Sequence, residues 1–198
     1  MFTRLVNFTE ARDIDGGIRY LQETVAPLLH QQKGFRGTTA SADRSGGAFG
    51  VLSVWESEAD RDASESALAK AREEAQKIVG GHVSVEHFEE TLLDVAGPPR
   101  VGSSLLIRRL SMDPAKVDEN IEYFKAEVLP TIKANPGFLA VRQMVNRQTG
   151  DAVVGTVWTD EDSMRAAAED AAKRQQQAAG RVTFGEQSQR EVVFIDMP

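Results

Sequence analysis

The stretch GFRGTTASADRSGGAFGVLSVWESE occupies residues 34–58, and a matching stretch, GFLAVRQMVNRQTGDAVVGTVWTDE, occupies residues 137–161. Both begin with Gly-Phe, pass through a polar turn and end with Val-Trp before an acidic run that can start a helix. The two tryptophans of the chain are in the same register, 103 residues apart, and the same offset relates Tyr20 to Tyr123 and Pro27 to Pro130. Repeats at a fixed interval indicate duplicated structural units. The sequence therefore predicts one unit repeated in tandem.

Each half reads as strand, helix, strand, strand, helix, strand. In the first half, apolar alternation and turn residues predict strands near 2–8, 35–42, 49–55 and 83–95. Helical spacing of apolar residues predicts helices over 14–32 and 58–79, and the second half repeats the order with its last helix over 160–179. This order is the split βαβ, or ferredoxin-like, arrangement.

A stretch rich in Pro, Gly and Ser, residues 97–103, marks the boundary between the two predicted units. We predict a first unit over residues 1–96, a linker over 97–103 and a second unit over 104–198. A sheet with both helices on one face needs a cover on its other face. We therefore predict an α+β fold of two tandem ferredoxin-like βαββαβ units, packed sheet to sheet as a pseudo-dimer.

Composition restricts the classes of partner. A net charge of −7 and a pI near 5.1 argue against nucleic acid or an anionic membrane as a partner. The chain has no cysteine, so disulfides, thiolate catalysis and cysteine metal ligands are excluded. No signal-peptide pattern and no long apolar run occur, and we expect a cytoplasmic protein.

A Gly-Phe after an amphipathic helix, a polar hairpin, and a strand ending in Trp before an acidic helix start together resemble the antibiotic biosynthesis monooxygenase family. The residues that carry the resemblance are Lys33–Gly37 with Val54–Glu58, and Pro136–Phe138 with Val157–Glu161. That family belongs to the dimeric α+β barrel superfamily, so the tandem chain resembles a dimer fused into one polypeptide. The resemblance implies a ligand cleft between each unit's sheet and its own helices.

Members of the family have several activities. Some oxygenate polyketide-type aromatics without a cofactor, and some degrade haem. The haem-degrading relatives use an Asn on the first strand, which Asn7 matches, with a Trp and a His on the second helix. Residues 58–79 and 160–179 contain neither Trp nor His, so haem degradation is disfavoured. There is also no Gly-rich phosphate loop and no convergent set of metal ligands, and no cofactor is implied.

The candidate catalytic residues are His87, Arg108 and Arg109. His87 is near the last strand of the first half, where it is a candidate general base. At the 103-residue offset, Arg108 and Arg109 stand where the first half has Leu5 and Val6. Because strand side chains alternate between faces, we expect one of the two arginines to face a buried side, either in the cleft or in the seam between the units.

The candidate substrate-binding residues are mostly aromatic, and each also has a plain structural role. For the two tryptophans the structural role is packing at a strand end, and for the two tyrosines it is a core aromatic ring with a polar tip. For Arg142 it is one partner of an ion pair. These candidates are Asn7, Tyr20, Trp55, Tyr123, Arg142 and Trp158.

Three hypotheses about function follow. The first is a cofactor-independent monooxygenase-like enzyme acting on a small aromatic or polyketide-like molecule. The second is a non-catalytic binding protein for a small hydrophobic molecule, and the third is a structural pseudo-dimer whose clefts have collapsed. An open cleft containing His87 or an Arg-carboxylate pair would favour the first, and the alanine-rich second helices favour small clefts.

Overall fold

The computed structural model describes residues 1–174 and 180–197. Its mixture of helices and largely antiparallel strands confirms the predicted α+β class. The chain divides into two compact units, one formed by Met1–His87 with Glu191–Pro198 and the other by Phe88–Arg190.

The first unit has β3 (Ala48–Trp55) between β1 (Phe2–Thr9) and β2 (Phe35–Asp43), with antiparallel pairing on both sides. The first part of β4 (His82–Val95) and the last part of β8 (Thr183–Asp196) complete its sheet. Its helical segments are α1 (Ile14–Tyr20), a π-helical turn (Leu21–Val25), α2 (Ala26–His30), α3 (Glu58–Ala63) and α4 (Glu65–Val79).

The second unit has β7 (Asp151–Trp158) between β5 (Ser104–Ser111) and β6 (Phe138–Val145), again antiparallel. The last part of β4 pairs with β6, and the first part of β8 lies beside β5. Its helical segments are a 3₁₀ turn (Pro114–Lys116), α5 (Val117–Tyr123), a π-helical turn (Phe124–Val128), α6 (Leu129–Lys133) and α7 (Glu161–Arg174).

The compact units differ from the predicted halves at their last strands. The predicted first unit, 1–96, includes all of β4, but Glu89–Val95 of that strand pairs with β6 of the second unit. Likewise Glu191–Asp196 of β8 pairs with β2 of the first unit. Both strands are 14 residues long, and each has one part in the first unit and the other part in the second. Sequence periodicity marks a strand but not its pairing partner.

The predicted helices are interrupted where the backbone requires it. The helix predicted over 14–32 contains a π-helical turn just before Pro27, and the second half repeats this before Pro130. Proline lacks an N–H and its ring clashes with the carbonyl four residues earlier, which a widened turn relieves. The helix predicted over 58–79 breaks at Ser64. Of the helix predicted over 160–179, residues 175–179 lie outside the described residues.

The recurring Gly-Phe has a backbone reason. Gly34 and Gly137 have φ angles of 72° and 79°, in the left-handed region that favours glycine. A Cβ on Gly137 would lie 2.4 Å from Ser163 Oγ, and one on Gly34 would lie 2.5 Å from Asp60 Oδ2. The glycine carbonyls accept hydrogen bonds from the residues after the tryptophans, Glu56 and Thr159, at 2.8 and 2.9 Å. The motif therefore ties the helix end to the strand end in each unit.

Each unit has its own hydrophobic core between sheet and helices. The first is built around Phe8, Leu21, Phe49 and Val79, and it includes Val193 of β8. The second is built around Phe124, Val141, Trp158 and Met164. Among the described residues, the helices are too short or too polar to span a bilayer.

Truncation of the chain after Arg190 tests whether the last part of β8 belongs to the first unit. It removes the segment that pairs with β2, together with buried Val192 and Val193. We expect the first unit to lose cooperative thermal unfolding, because the edge of β2 becomes unpaired and its core loses apolar cover. Amide exchange should lose protection mainly in β2 and β3. Truncation after Asp196 is the control, and an unchanged midpoint after the longer truncation would contradict the assignment.

Candidate functional site

The second unit contains a cavity of about 320 Å³ between its sheet and its helices. We call it the second-unit cavity. The volume is at the lower end of the range typical of small-molecule sites. Most of the lining is apolar, and polar groups converge at a few places. The lining includes Leu106, Arg108, Leu110, Asn120, Tyr123, Gln143, Val154, Thr156, Trp158 and Arg181.

The floor of this cavity is built in rows across three neighbouring strands. In the middle row Arg108 of β5 lies opposite Val154 of β7, which lies opposite Gln143 of β6. All three side chains line the cavity, so they share the face toward the helices. Neighbouring strands are about 4.8 Å apart, so the two polar residues lie at opposite ends of a row roughly 10 Å long.

The strand register corrects the equivalence predicted for the arginines. Phe2 lies opposite Trp55, whereas Ser104 lies opposite Trp158, so the first strands of the units are offset by 102 residues and not 103. Arg108 and Arg109 therefore take the places of Val6 and Asn7, and not of Leu5 and Val6. A shift of one residue moves every side chain to the other face of a strand.

The register also places the two arginines on opposite faces. Leu106, Arg108 and Leu110 alternate along β5 and all line the cavity. Arg109 is not among the lining residues, and its alternation places it on the other face of the sheet. Of the two candidates, Arg108 is the one positioned to meet a ligand in this cavity.

The first-unit cavity is much smaller, at about 70 Å³. In its middle row, Val6, Val51 and Ala40 replace Arg108, Val154 and Gln143, so the row has no polar side chain. Phe8 and Phe49 stack at 5.9 Å and fill much of the space. The residues at the corresponding strand positions in the second unit are the smaller Leu110 and Ala152. The difference in volume follows from these exchanges.

The next row of the first unit contains a buried arginine that sequence analysis missed. Arg4 is 2% exposed, and its neighbours across the row are Ser53 and Thr38, both buried. Its guanidinium donates to Ser64 Oγ at 3.0 Å and to the Arg61 carbonyl at 2.6 Å. It also forms an ion pair with Glu65 at 3.2 Å and lies 5.7 Å from the Trp55 ring. In the second unit Leu106 takes this position.

His87 joins the Arg4 cluster. Arg4 Nε lies 3.4 Å from His87 Nε2, and His87 is not among the residues that line the first-unit cavity. Burial lowers the pKa of His87, and the positive charges of Arg61 and Arg4 lower it further, against smaller opposing effects of Asp62 and Glu65. The candidate base is therefore held toward its neutral form beside an arginine network.

Arg108 lies partly buried at the end of the middle row. Its Nη2 donates to Gln187 Oε1, and its guanidinium carbon lies 5.6 Å from the centre of the Phe184 ring. Burial lowers its pKa. No salt bridge to Arg108 occurs among the described residues, so its charge is available to an anionic ligand.

Three of the four candidate tyrosines and tryptophans line a cavity. Tyr123 lines the second-unit cavity, with the Arg181 guanidinium 4.5 Å above its ring, and Tyr20 lines the first-unit cavity. Burial raises the pKa of Tyr20, and Glu74 adds to this effect. Trp158 lines the second-unit cavity, while Trp55 is fully buried and lines neither.

Each tryptophan has a matching packing role. The indole N–H donates to Ser53 Oγ or Thr156 Oγ1, 3.0 Å away in both units. Each indole also meets the Phe of the Gly-Phe pair edge to face, at 5.6 Å for Trp55 and 5.7 Å for Trp158. The tryptophans therefore fix the strand end to the motif that follows the first helix.

Asn7 and Arg142 line neither cavity. Asn7 pairs across the sheet with Gly50. Arg142 Nε lies 2.8 Å from Glu90 Oε2, and both side chains are largely buried. The two atoms lack the alignment of a hydrogen bond, so the contact is an ion pair. Burial lowers the pKa of Arg142, and Glu90 opposes that shift. The structure therefore gives Arg142 a carboxylate partner, as predicted for an ion-pair residue.

Asn120, Gln143 and Arg181 line the second-unit cavity, and sequence analysis missed all three. They lie on a helix, a strand and the loop before β8, so no short motif contains them. Comparing the halves row by row would have singled out Gln143, because the matching residue is Ala40. No group of three or more potential metal ligands occurs within residues 1–174 and 180–197.

Comparison with known proteins supports the fold more than the chemistry. No family model matches the chain. An uncharacterised protein of Mycobacterium tuberculosis, Rv2557, is 28% identical over 151 residues, which cover 76% of this chain and 67% of that protein.

Solved structures are similar along nearly the whole chain. A candidate monooxygenase of Fusobacterium nucleatum has a TM-score of 0.71 and 12% identity, covering 99% of this chain and 94% of its own. An anthrone oxidase-like protein has a TM-score of 0.67 and 15% identity, covering 98% and 92%. A ferredoxin-fold protein of Listeria monocytogenes related to antibiotic biosynthesis monooxygenases has a TM-score of 0.54 and 8% identity, covering 98% and 96%.

A haem-degrading enzyme of Listeria monocytogenes is also similar, with a TM-score of 0.53 and 8% identity, covering 96% of this chain and 99% of its own. At such identities the likenesses show the fold alone. The chain thus has the same fold as these proteins, one of which is a ferredoxin-fold protein.

The Arg142–Glu90 pair predicts a stability effect. Arg142→Met should destabilise the second unit by about 3 kcal/mol, because Glu90 is left buried without a positive partner. The double variant Arg142→Met with Glu90→Met should recover most of the loss. Urea unfolding measures both, with Arg165→Met on the exposed face of α7 as the control. Equal losses in the single and double variants would refute the pairing.

His87 predicts a pH dependence of stability. Its pKa in the folded chain is lowered below the ordinary value of 6.5, so protonation favours the unfolded chain. The full stability is therefore present above pH 6.5 and decreases as the pH falls below it toward the folded pKa. The thermal midpoint of the wild type should decrease more between pH 7.5 and pH 5 than that of His87→Gln. His82→Gln, at an exposed histidine, should behave as the wild type.

Proposed function

We propose that the second-unit cavity binds a small aromatic molecule with an acidic hydroxyl, a phenol or an enol, and that the chain oxygenates it without a metal or flavin. The observation that carries the proposal is Arg108, a partly buried guanidinium on the floor of a cavity whose lining is mostly apolar. A charged group in such a place stabilises an anion far more than it would in water. A planar aromatic body fits the apolar walls, and its anionic oxygen fits the forked donors of arginine.

The chemistry requires few protein groups. Arg108 stabilises the phenolate or enolate and so favours loss of a proton from the substrate. Glu127, an exposed carboxylate that also lines the cavity, is the group that can accept that proton. The resulting carbanion attacks O₂, a hydroperoxide forms, and loss of water leaves a carbonyl. One CH₂ group and one O₂ thus become one C=O group and one H₂O, with the substrate supplying all the electrons.

The similar structures are consistent with this class of reaction. An anthrone has an activated CH₂ group next to aromatic rings, and one of the similar structures is an anthrone oxidase-like protein. That likeness is of fold, and function does not follow from fold alone. It does provide a reasoned choice of the first substrate to test.

A second candidate function is binding without catalysis. It is favoured by the position of His87, which lies beside Arg4 in the first unit and not among the residues that line the second-unit cavity. A site whose acidic ligand meets only an arginine can hold that ligand without changing it. The two functions share the same ligand and differ in whether O₂ is consumed.

We also propose that the chain arose by tandem duplication and retains one working site. Both π-helical turns, both tryptophan hydrogen bonds and the ion pairs Arg44–Asp15 and Arg147–Asp118 recur at the offset of 103 residues. Phe8 and Phe49 close the first-unit cavity, and Arg4 with its partners occupies the row below them. The working site is then the second-unit cavity, which has kept its open volume.

Arg108→Met tests the proposed function. With 1,8-dihydroxyanthrone as the probe, the wild type should consume one O₂ per molecule oxidised, faster than the spontaneous reaction, and give the corresponding quinone. Arg108→Met should reduce the rate at least about 10-fold, since hydrogen bonds to charged groups contribute about 1.5–3 kcal/mol. An oxygen electrode and mass spectrometry provide the measurement.

Arg109→Met is the matched control, because it removes the neighbouring charge from the other face of the same strand. It should retain the wild-type rate. Binding of the probe without O₂ uptake would favour the second candidate function. No binding, or equal rates in wild type and Arg108→Met, would overturn the proposal.

A further inference from the structure

Asn120 lies in the wall of the second-unit cavity, and its side-chain oxygen has no hydrogen-bond partner among the described residues. It belongs to α5, is 5% exposed and lines the cavity. Its side-chain NH₂ donates to the Lys116 carbonyl at 3.0 Å, which fixes the orientation of the amide. Its Oδ1 is buried and has no hydrogen-bond partner among the residues that the structure describes. A buried acceptor without a donor is unfavourable, so such a group needs an explanation.

The fold itself does not require a side chain at this place. Asn120 is the fourth residue of α5, and Gly17 is the fourth residue of the matching α1. In the first unit a Cβ at Gly17 would lie 2.6 Å from Val79 Cγ2, so the helix approaches its neighbours there without any side chain. The amide in the second unit is therefore an addition at the open cavity.

The other buried polar oxygens of the cavity, on Gln143 and Thr156, each already accept a hydrogen bond. Gln143 Oε1 accepts from Thr91 Oγ1 at 2.9 Å, and Thr156 Oγ1 accepts from the Trp158 indole at 3.0 Å. Arg108 is a donor only. Among these groups, Asn120 Oδ1 is thus the buried acceptor that has no hydrogen bond before a ligand hydroxyl enters.

We propose that Asn120 Oδ1 accepts a hydrogen bond from a hydroxyl of the ligand and so selects aromatic molecules with two oxygen functions, an anionic oxygen on Arg108 and a hydroxyl donor on Asn120. This inference rests on the proposed binding of an acidic aromatic and narrows its substrate class to diphenols and related dihydroxy aromatics. A site built to hydrogen-bond a substrate hydroxyl discriminates strongly against the analogue that lacks it, because the buried group is then left unpaired.

Calorimetric titration without oxygen, which prevents turnover, tests the selection. The two probes are 2,6-dihydroxynaphthalene and 2-naphthol, which share an aromatic body and an acidic hydroxyl. The wild type should bind the diol at least about 10-fold more tightly than 2-naphthol. Asn120→Leu should weaken diol binding about 10-fold, leave 2-naphthol binding nearly unchanged and so abolish the preference. Asn120→Asp, which keeps an acceptor oxygen at the site, should retain a preference for the diol.

Asn135→Leu is the matched control, since Asn135 also lines the cavity but is less buried. It should leave the ratio of the two affinities unchanged. Thermal unfolding should show that Asn120→Leu remains folded, because the variant removes an unpaired acceptor along with one side-chain hydrogen bond.

The outcomes separate this inference from the proposed function. Binding of both probes with a preference that survives Asn120→Leu, or with equal losses for both probes, would overturn the role of Asn120 and leave the Arg108 site intact. If neither probe binds the wild type, the proposed aromatic site fails, and the selection by Asn120 fails with it.

Discussion

The buried guanidinium of Arg4 needs hydrogen-bond and ionic partners, and this requirement distinguishes the first unit from the second. Arg4 is nearly inaccessible, yet its donors reach a hydroxyl, a carbonyl and a carboxylate. The energetic cost of burying an unpaired charge is large enough that α3 and α4 must present these partners at the right place. The break between the two helices at Ser64 brings the Ser64 hydroxyl and the Arg61 carbonyl to the arginine. The first unit therefore uses its arginine to fix helices onto the sheet.

The second unit places its arginine one row away and leaves it without an ionic partner among the described residues. Leu106 stands where Arg4 stands, and Arg108 stands where Val6 stands. The exchange removes the charge from one row and places a charge in the next, in the opposite sense to the first unit. Because Leu110 and Ala152 are smaller than Phe8 and Phe49, the polar row meets an open volume instead of packed rings. In the same fold, the charge of Arg4 thus holds helices on the sheet of the first unit, whereas the charge of Arg108 faces the cavity of the second.

Much of the fold could be predicted from the sequence, because repetition and hydrophobic periodicity are local signals. The Gly-Phe and Trp positions, the hairpins and the proline-disturbed helices are all found where the pattern places them. Strand pairing is not local. Nothing in residues 83–95 shows that their second part pairs with β6, or that residues 191–196 return to β2. The candidate site was less predictable for the same reason. Arg108, Tyr123 and Trp158 line one cavity, but Asn120 and Gln143 have ordinary local sequence contexts.

The one-residue offset between the first strands shows how closely chemistry depends on register. At the offset of 103 residues, Arg109 would match Val6, whose side chain lines the first-unit cavity, and Arg108 would match Leu5 on the other face. The observed offset of 102 reverses this assignment, because alternate strand residues face opposite sides. Two adjacent arginines of identical chemistry therefore have different surroundings: one meets the cavity and the other does not. Residue type selects the candidates for a site, and the pairing of strands far apart in sequence decides which of them can act.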